Sequence, residues 1–223
     1  MKTSVFDADI FKRVTDSGII AVLELEKASN AVPAIDALLA GGITAIELTL
    51  RTDAAIDSIK AIAENRPEMT IGVGTLLFPG QIVQIIEAGA HFAVSPGFNP
   101  IIADEAKRCG LSFAPGIATP SELEAALSKG CAVLKLFPAE PLGGVDYLKS
   151  MNNPYAYLGL SYIPLGGVNL QNLNNWAALK SVVAVGGTWI SPRALIAEQN
   201  WSEITKRAVE AKQAWIKARS IVL

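Results

Sequence analysis

Ile19-Ile20-Ala21-Val22-Leu23-Glu24-Leu25-Glu26-Lys27 decides the fold. Five apolar residues in a row read as a buried strand. The turn after them contains no glycine, so it lacks the glycine-rich dinucleotide fingerprint that an open doubly wound sheet ordinarily carries after its first strand. Working outward, similar β-rich runs recur at 43–50, 70–74, 92–95, 111–114, 132–137, 162–165 and 182–185. Amphipathic segments with apolar residues at helical spacing lie between them, at 31–39, 54–63, 80–87, 101–108, 121–127 and 170–179. Gly41-Gly42, Gly89, Gly110 and Gly130 stand where helices should stop and feed the next strand. Eight strand–helix units in 223 residues predict a closed (β/α)8 TIM barrel, one domain over 1–223. An extra N-terminal helix at 6–15 would cap the N-terminal mouth, and 201–219 reads as a long final helix. The open doubly wound sheet is the alternative.

Lys+Arg number 19 against Asp+Glu 21, a formal charge of −2, so no positive surplus exists to neutralise a phosphate backbone and no nucleic-acid partner is expected. Hydrophobic residues make up 51%, enough for a large core and too much for a disordered chain. Met1 to Phe11 is mixed and polar, without the pattern of a secretory leader. The longest uncharged windows, 69–86 and 150–179, are broken by Gly, Pro, Asn or Gln, so no membrane span is expected. Only Cys109 and Cys131 occur, which fits free thiols in a reducing, cytoplasmic compartment. The single His91 excludes sites built on several histidines, and no metal is expected; opening the run at 92–95, His91 reads as a residue of a strand entry.

The chemistry-bearing residues sit inside strands. Lys135, in Ala132-Val133-Leu134-Lys135-Leu136-Phe137, is the one lysine flanked on both sides by a predicted buried strand. Loss of hydration there disfavours an ammonium and favours a neutral amine, which attacks ketones to give an imine that acts as an electron sink. The alternative is a lysine whose stem is buried while its head reaches solvent or a carboxylate. In Ala45-Ile46-Glu47-Leu48-Thr49-Leu50-Arg51, alternation puts Ala45, Glu47, Thr49 and Arg51 on one face. Glu47 suits proton transfer and Arg51 offers a fork for a carboxylate or phosphate; a structural ion pair of Glu47 with Lys135 or Arg51 is the competing reading. Ile71, Val73 and Thr75 share one face of the third strand, which brings the Thr75 hydroxyl to the same rim. Gly166-Gly167 and Gly186-Gly187-Thr188 follow the last two strands, where backbone N–H groups can approach an anion closely.

Together these segments resemble the 2-keto-3-deoxy-6-phosphogluconate (KDPG) and 4-hydroxy-2-oxoglutarate (KHG) aldolases. The likeness is carried by Glu47-Leu48-Thr49-Leu50-Arg51-Thr52, Gly72-Val73-Gly74-Thr75, Ser95-Pro96-Gly97, Pro115-Gly116-Ile117-Ala118-Thr119, Lys135-Leu136-Phe137-Pro138-Ala139-Glu140 and Gly186-Gly187-Thr188-Trp189. The resemblance implies Lys135 as the Schiff-base lysine and Glu47 as the acid/base acting through a water. It implies Arg51 and Thr75 as binders of the pyruvyl carboxylate, Pro96 and Phe137 as pocket walls, and Gly166, Gly167, Gly187 and Thr188 as the phosphate site. It further implies metal-independent, cofactor-free cleavage of a phosphorylated keto acid to pyruvate and glyceraldehyde 3-phosphate by a homotrimer. Leu165 replaces a threonine common before the seventh-strand Gly-Gly, Thr188 stands where serine is common, and Glu24 stands where some relatives carry a basic residue. KHG, oxaloacetate and a galactonate-type stereoisomer are therefore the alternative substrates. A non-covalent sugar-phosphate isomerase and a non-catalytic binding barrel are the rival functions.

Overall fold

A computed structural model describes residues 5–220 of the chain, so the first four residues of the stretch weighed above as a leader lie outside the described residues. The strands are β1 (Ile19–Leu23), β2 (Ala45–Thr49), β3 (Thr70–Gly74), β4 (Phe92–Val94), β5 (Ser112–Ala114), β6 (Gly116–Ile117), β7 (Val133–Leu136), β8 (Ser161–Pro164) and β9 (Val185–Gly187). The helices are α1 (Ala8–Ser17), α2 (Ala31–Ala40), α3 (Ala55–Asn65), α4 (Gln81–Glu87), α5 (Pro100–Arg108), α6 (Pro120–Ser128), α7 (Gly144–Asn152), α8 (Leu173–Ala177), α9 (Arg193–Ala197) and α10 (Trp201–Arg219).

All strand pairs are parallel, in two sheets: six strands in the order β5-β4-β3-β2-β1-β9, and three in the order β6-β7-β8. The closed eight-stranded TIM barrel expected from the strand count is therefore not what the hydrogen-bonded ladder forms. One interruption falls at Pro115, whose ring leaves no N–H to donate and which separates β5, in the fifth expected run, from β6 just beyond that run. The other falls between β8 and β9. There contact with β8 is a single isolated Tyr162–Val182 bridge, in which Tyr162 donates to the Ser181 carbonyl and Val183 to the Tyr162 carbonyl, and β9 begins three residues later than the expected run.

Two apolar clusters hold these layers. The larger lies between strands and helices and takes Ile46, Leu48, Ile71, Val73, Leu134 and Leu136 together with helix residues such as Leu38, Ile59 and Ile85. The smaller draws Ile20, Val22, Ala45, Phe92, Val133 and Ile163 from both sheets, so both faces of the strands are buried, as parallel sheets require. Phe6 and Val14 join this smaller cluster, which places α1 against the strand entries; Asp7 caps it, accepting from the N–H groups of Asp9 and Ile10. The long final helix runs over the expected residues, and Arg219 near its end donates to the carbonyls of Ala177, Leu179 and Val182. Helices α7 and α9 had no counterpart in the periodicity. The first starts in Gly143-Gly144, where both φ angles are positive, and the second is only five residues long. Among the described residues no helix is long and apolar enough to cross a membrane, and no three metal-ligating side chains cluster.

Candidate active site

Alternation along β7 sends Val133 and Lys135 to the face opposite Leu134 and Leu136, and along β2 it sends Ala45 and Glu47 away from Ile46 and Leu48. The two charged side chains meet between the sheets, both almost fully buried at 5% exposure for Lys135 and 3% for Glu47. Lys135 Nζ lies 3.0 Å from Glu47 Oε1 and 3.3 Å from Oε2. The Phe137 ring centre is 5.3 Å from the amine and adds a favourable cation–π contact. Gly74 makes room for this pair, because a Cβ there would stand 2.0 Å from Glu47 Oε1.

A cleft of about 580 Å³ opens over the pair, and its lining includes all ten residues singled out above: Glu47, Arg51, Thr75, Pro96, Lys135, Phe137, Gly166, Gly167, Gly187 and Thr188. Val22, Leu165, Val168, Asn169 and Trp189 complete the walls. Gly166 and Gly167 hold φ of +91° and +84°, a left-handed geometry that favours glycine, and their N–H groups have no acceptor among the described residues. Asn169 and Asn172 pin this turn by donating to the Gly167 carbonyl at 3.1 and 3.0 Å. The loop after β9 is held by Arg207, which donates to the carbonyl of Trp189 at 3.0 Å.

Thr75 reaches the rim expected of it by a different route. Ile71 and Val73 face the helices, so strict alternation would carry Thr75 outward with them. Thr75 instead adopts φ +62°, a conformation costly for a β-branched residue, and this turn of the backbone delivers it to the cleft. Arg51 does not pair with Glu47, and its side chain is half exposed at the rim of the cleft. Its Nη2 lies 3.1 Å from Glu24 Oε2, while Glu24 Oε1 is 2.8 Å from Arg193 Nη1, so this carboxylate is held between two arginines. His91 sits at the opposite ends of the strands, where its Nδ1 accepts the Ile71 N–H at 2.9 Å; burial first, then the Arg13 charge, hold its pKa below the usual value. Both cysteines are free, and burial pushes the Cys131 thiol up to about 11. Val22 was reachable in sequence as the inward neighbour of Ile20. Asn169 and Trp189 lie on loops with no periodicity to place them.

An amine shielded from water and set against a carboxylate is the arrangement a class I aldolase needs, a lyase that breaks a carbon–carbon bond through a lysine imine. The comparisons with known proteins agree on the class and narrow it. The chain belongs to the KDPG and KHG aldolase family, whose model matches residues 10–207. It is 39% identical over 198 residues to the KHG/KDPG aldolase of Escherichia coli K12, covering 89% of this chain and 92% of that one. It is 38% identical over 204 residues to the 2-dehydro-3-deoxy-phosphogluconate aldolase of Treponema pallidum, covering 92% and 96%. Among solved structures it resembles the KDPG aldolase of Legionella pneumophila, which holds pyruvate captured at low pH as a covalent carbinolamine intermediate. The TM-score is 0.86 and the identity 34%, over 91% of this chain and 97% of that one.

Proposed function

We propose that this protein cleaves KDPG to pyruvate and glyceraldehyde 3-phosphate through an imine on Lys135. The buried Lys135–Glu47 pair carries the reading, because the proton that the ammonium must shed before it attacks has an acceptor 3.0 Å away. The neutral amine adds to C2, and transfer of a proton from nitrogen to oxygen gives the carbinolamine. Glu47 then returns its proton to the departing hydroxide, leaving water and an iminium. As a carboxylate again, Glu47 takes the C4 hydroxyl proton through a water. The C3–C4 bond electrons pass into the iminium, glyceraldehyde 3-phosphate leaves, and an enamine remains. Protonation at C3 by Glu47 and addition of water at C2 release pyruvate and restore Lys135.

In this scheme Arg51 and Thr75 hold the pyruvyl carboxylate, Pro96 and Phe137 wall the reacting carbons, and Gly166, Gly167, Gly187 and Thr188 receive the phosphate. The unused N–H groups of Gly166 and Gly167 support that last assignment, since bare amides in a left-handed turn form an anion-binding concavity. A cytoplasmic homotrimer is the proposed working form. Its support is the pair of free cysteines and the strongly exposed apolar side chains Phe78 and Ile101, beside α4 and on α5.

Borohydride reduction in the presence of pyruvate tests the imine. The expected result is irreversible inactivation with the added mass on Lys135 and no labelling of Lys135→Met. Labelling on another residue, or full turnover by Lys135→Met, would overturn the mechanism.

A further inference from the structure

Glu24 ends up nearly buried, with its side chain 12% exposed, although it lies just past the end of β1 at the mouth of the cleft. Each of its oxygens meets a different arginine: Oε2 meets Arg51 Nη2 at 3.1 Å, and Oε1 meets Arg193 Nη1 at 2.8 Å. Arg193 also binds Glu26 through Nη2. The chain Arg51–Glu24–Arg193–Glu26 thereby ties the loops after β1 and β2 to the start of α9. Arg51 lines the cleft, whereas Glu24, Glu26 and Arg193 line a neighbouring cavity of about 350 Å³ behind it.

This division of the Glu24 carboxylate matters to Arg51. A guanidinium has five N–H donors in a planar fork, and a carboxylate with both oxygens free takes two of them at once. With Oε1 nearest to Arg193, Glu24 meets Arg51 most closely through Oε2 and Nη2, and the half-exposed Arg51 fork keeps donors available to the cleft it lines. Of the pair Glu24–Arg51, the negative charge is also shared with a second cation. Without Arg193 the carboxylate would close on Arg51 with both oxygens and compete with a substrate carboxylate for the same donors.

We infer that Arg193 is a positioning residue, acting through Glu24 to keep the Arg51 guanidinium open to the carboxylate of the keto-acid substrate. The inference rests on the reading of Arg51 given above as the carboxylate binder. It assigns to this chain a device that replaces a lone arginine at the rim by an arginine whose counter-charge is held off by another.

A double-mutant cycle in the condensation direction tests it, with pyruvate and glyceraldehyde 3-phosphate varied separately. Arg193→Met should raise the KM for pyruvate about threefold to fivefold, the size of a partly exposed ion-pair effect, with kcat and the KM for glyceraldehyde 3-phosphate unchanged. Glu24→Gln removes the competing charge, so adding Arg193→Met in that background should change nothing further. Arg193→Lys, which keeps a cation on Glu24, should restore the pyruvate KM. An unchanged pyruvate KM in Arg193→Met, an equal effect in the Glu24→Gln background, or a rise confined to glyceraldehyde 3-phosphate would each overturn the inference. Failure of the wild-type protein to form a pyruvate imine would instead overturn the proposed reaction, and borohydride trapping on the wild type distinguishes the two.

Discussion

Replacing Gly74 by Ala adds a single carbon at the place on β3 that the Glu47 carboxylate, the proposed acid–base group, overhangs. The new Cβ would lie 2.0 Å from Glu47 Oε1 and 2.6 Å from both Cδ and Cγ. Non-bonded heavy atoms need about 3.5 Å, so the carboxylate must retreat by roughly 1.5 Å. That motion takes the 3.0 Å contact with Lys135 Nζ beyond hydrogen-bonding range. Gly74 itself does not have a positive φ, so alanine fits the backbone and the injury falls on Glu47. Positioned acid–base groups contribute about 10² to 10⁴ in rate, so kcat for KDPG cleavage should fall at least about a hundredfold, equivalent to ~2.7 kcal/mol of barrier. Pyruvate release measures it, with unfolding followed in parallel because a displaced buried partner also lowers stability. Gly74→Ala combined with Glu47→Gln should lose little more than Gly74→Ala alone, since both changes disable one group. A folded Gly74→Ala protein with kcat within about threefold of wild type would refute the reasoning.

Thr75→Gly should separate stability from activity. Glycine accepts the φ of +62° freely, so the protein should gain about 1 kcal/mol in denaturant unfolding while the KM for pyruvate rises with loss of the hydroxyl; a less stable variant would argue against strain at Thr75. For His91, the folded state favours the neutral ring because Nδ1 accepts the Ile71 N–H and burial lowers the pKa from 6.5. Its stabilisation is complete above pH 6.5 and is lost as the pH falls through the lowered folded value. His91→Asn keeps an acceptor that does not titrate, so the stability difference between pH 7.5 and pH 5 should shrink in that variant.

The central pair was legible from residues alone. Alternation in Val133-Leu134-Lys135-Leu136 and in Ala45-Ile46-Glu47-Leu48 is a local property, and it sent Lys135 and Glu47 to inward faces without knowledge of their neighbours. The same rule brought Thr75 to the correct rim by the wrong route, because alternation assumes extended backbone and Thr75, at φ +62°, leaves it. Counting strand-like runs overestimated closure of the sheet for a related reason. A run at 111–114 or 182–185 reports apolar burial, whereas pairing depends on the path of the backbone: Pro115 offers no N–H between β5 and β6, and beside β8 the second run makes a single bridge, at Val182, before it joins β1.

Burial preference, turn chemistry and the types of reactive side chain are written in short windows of this chain, and they were enough to name a lysine, a carboxylate and two glycine turns. Which groups touch is a matter of distance in space between residues remote in the chain, 88 apart for Lys135 and Glu47. Only the folded structure decides that Gly74 clears the way for Glu47, and that Glu24 is shared between Arg51 and Arg193. Side-chain contacts of that kind arise from long-range packing, which no local periodicity encodes.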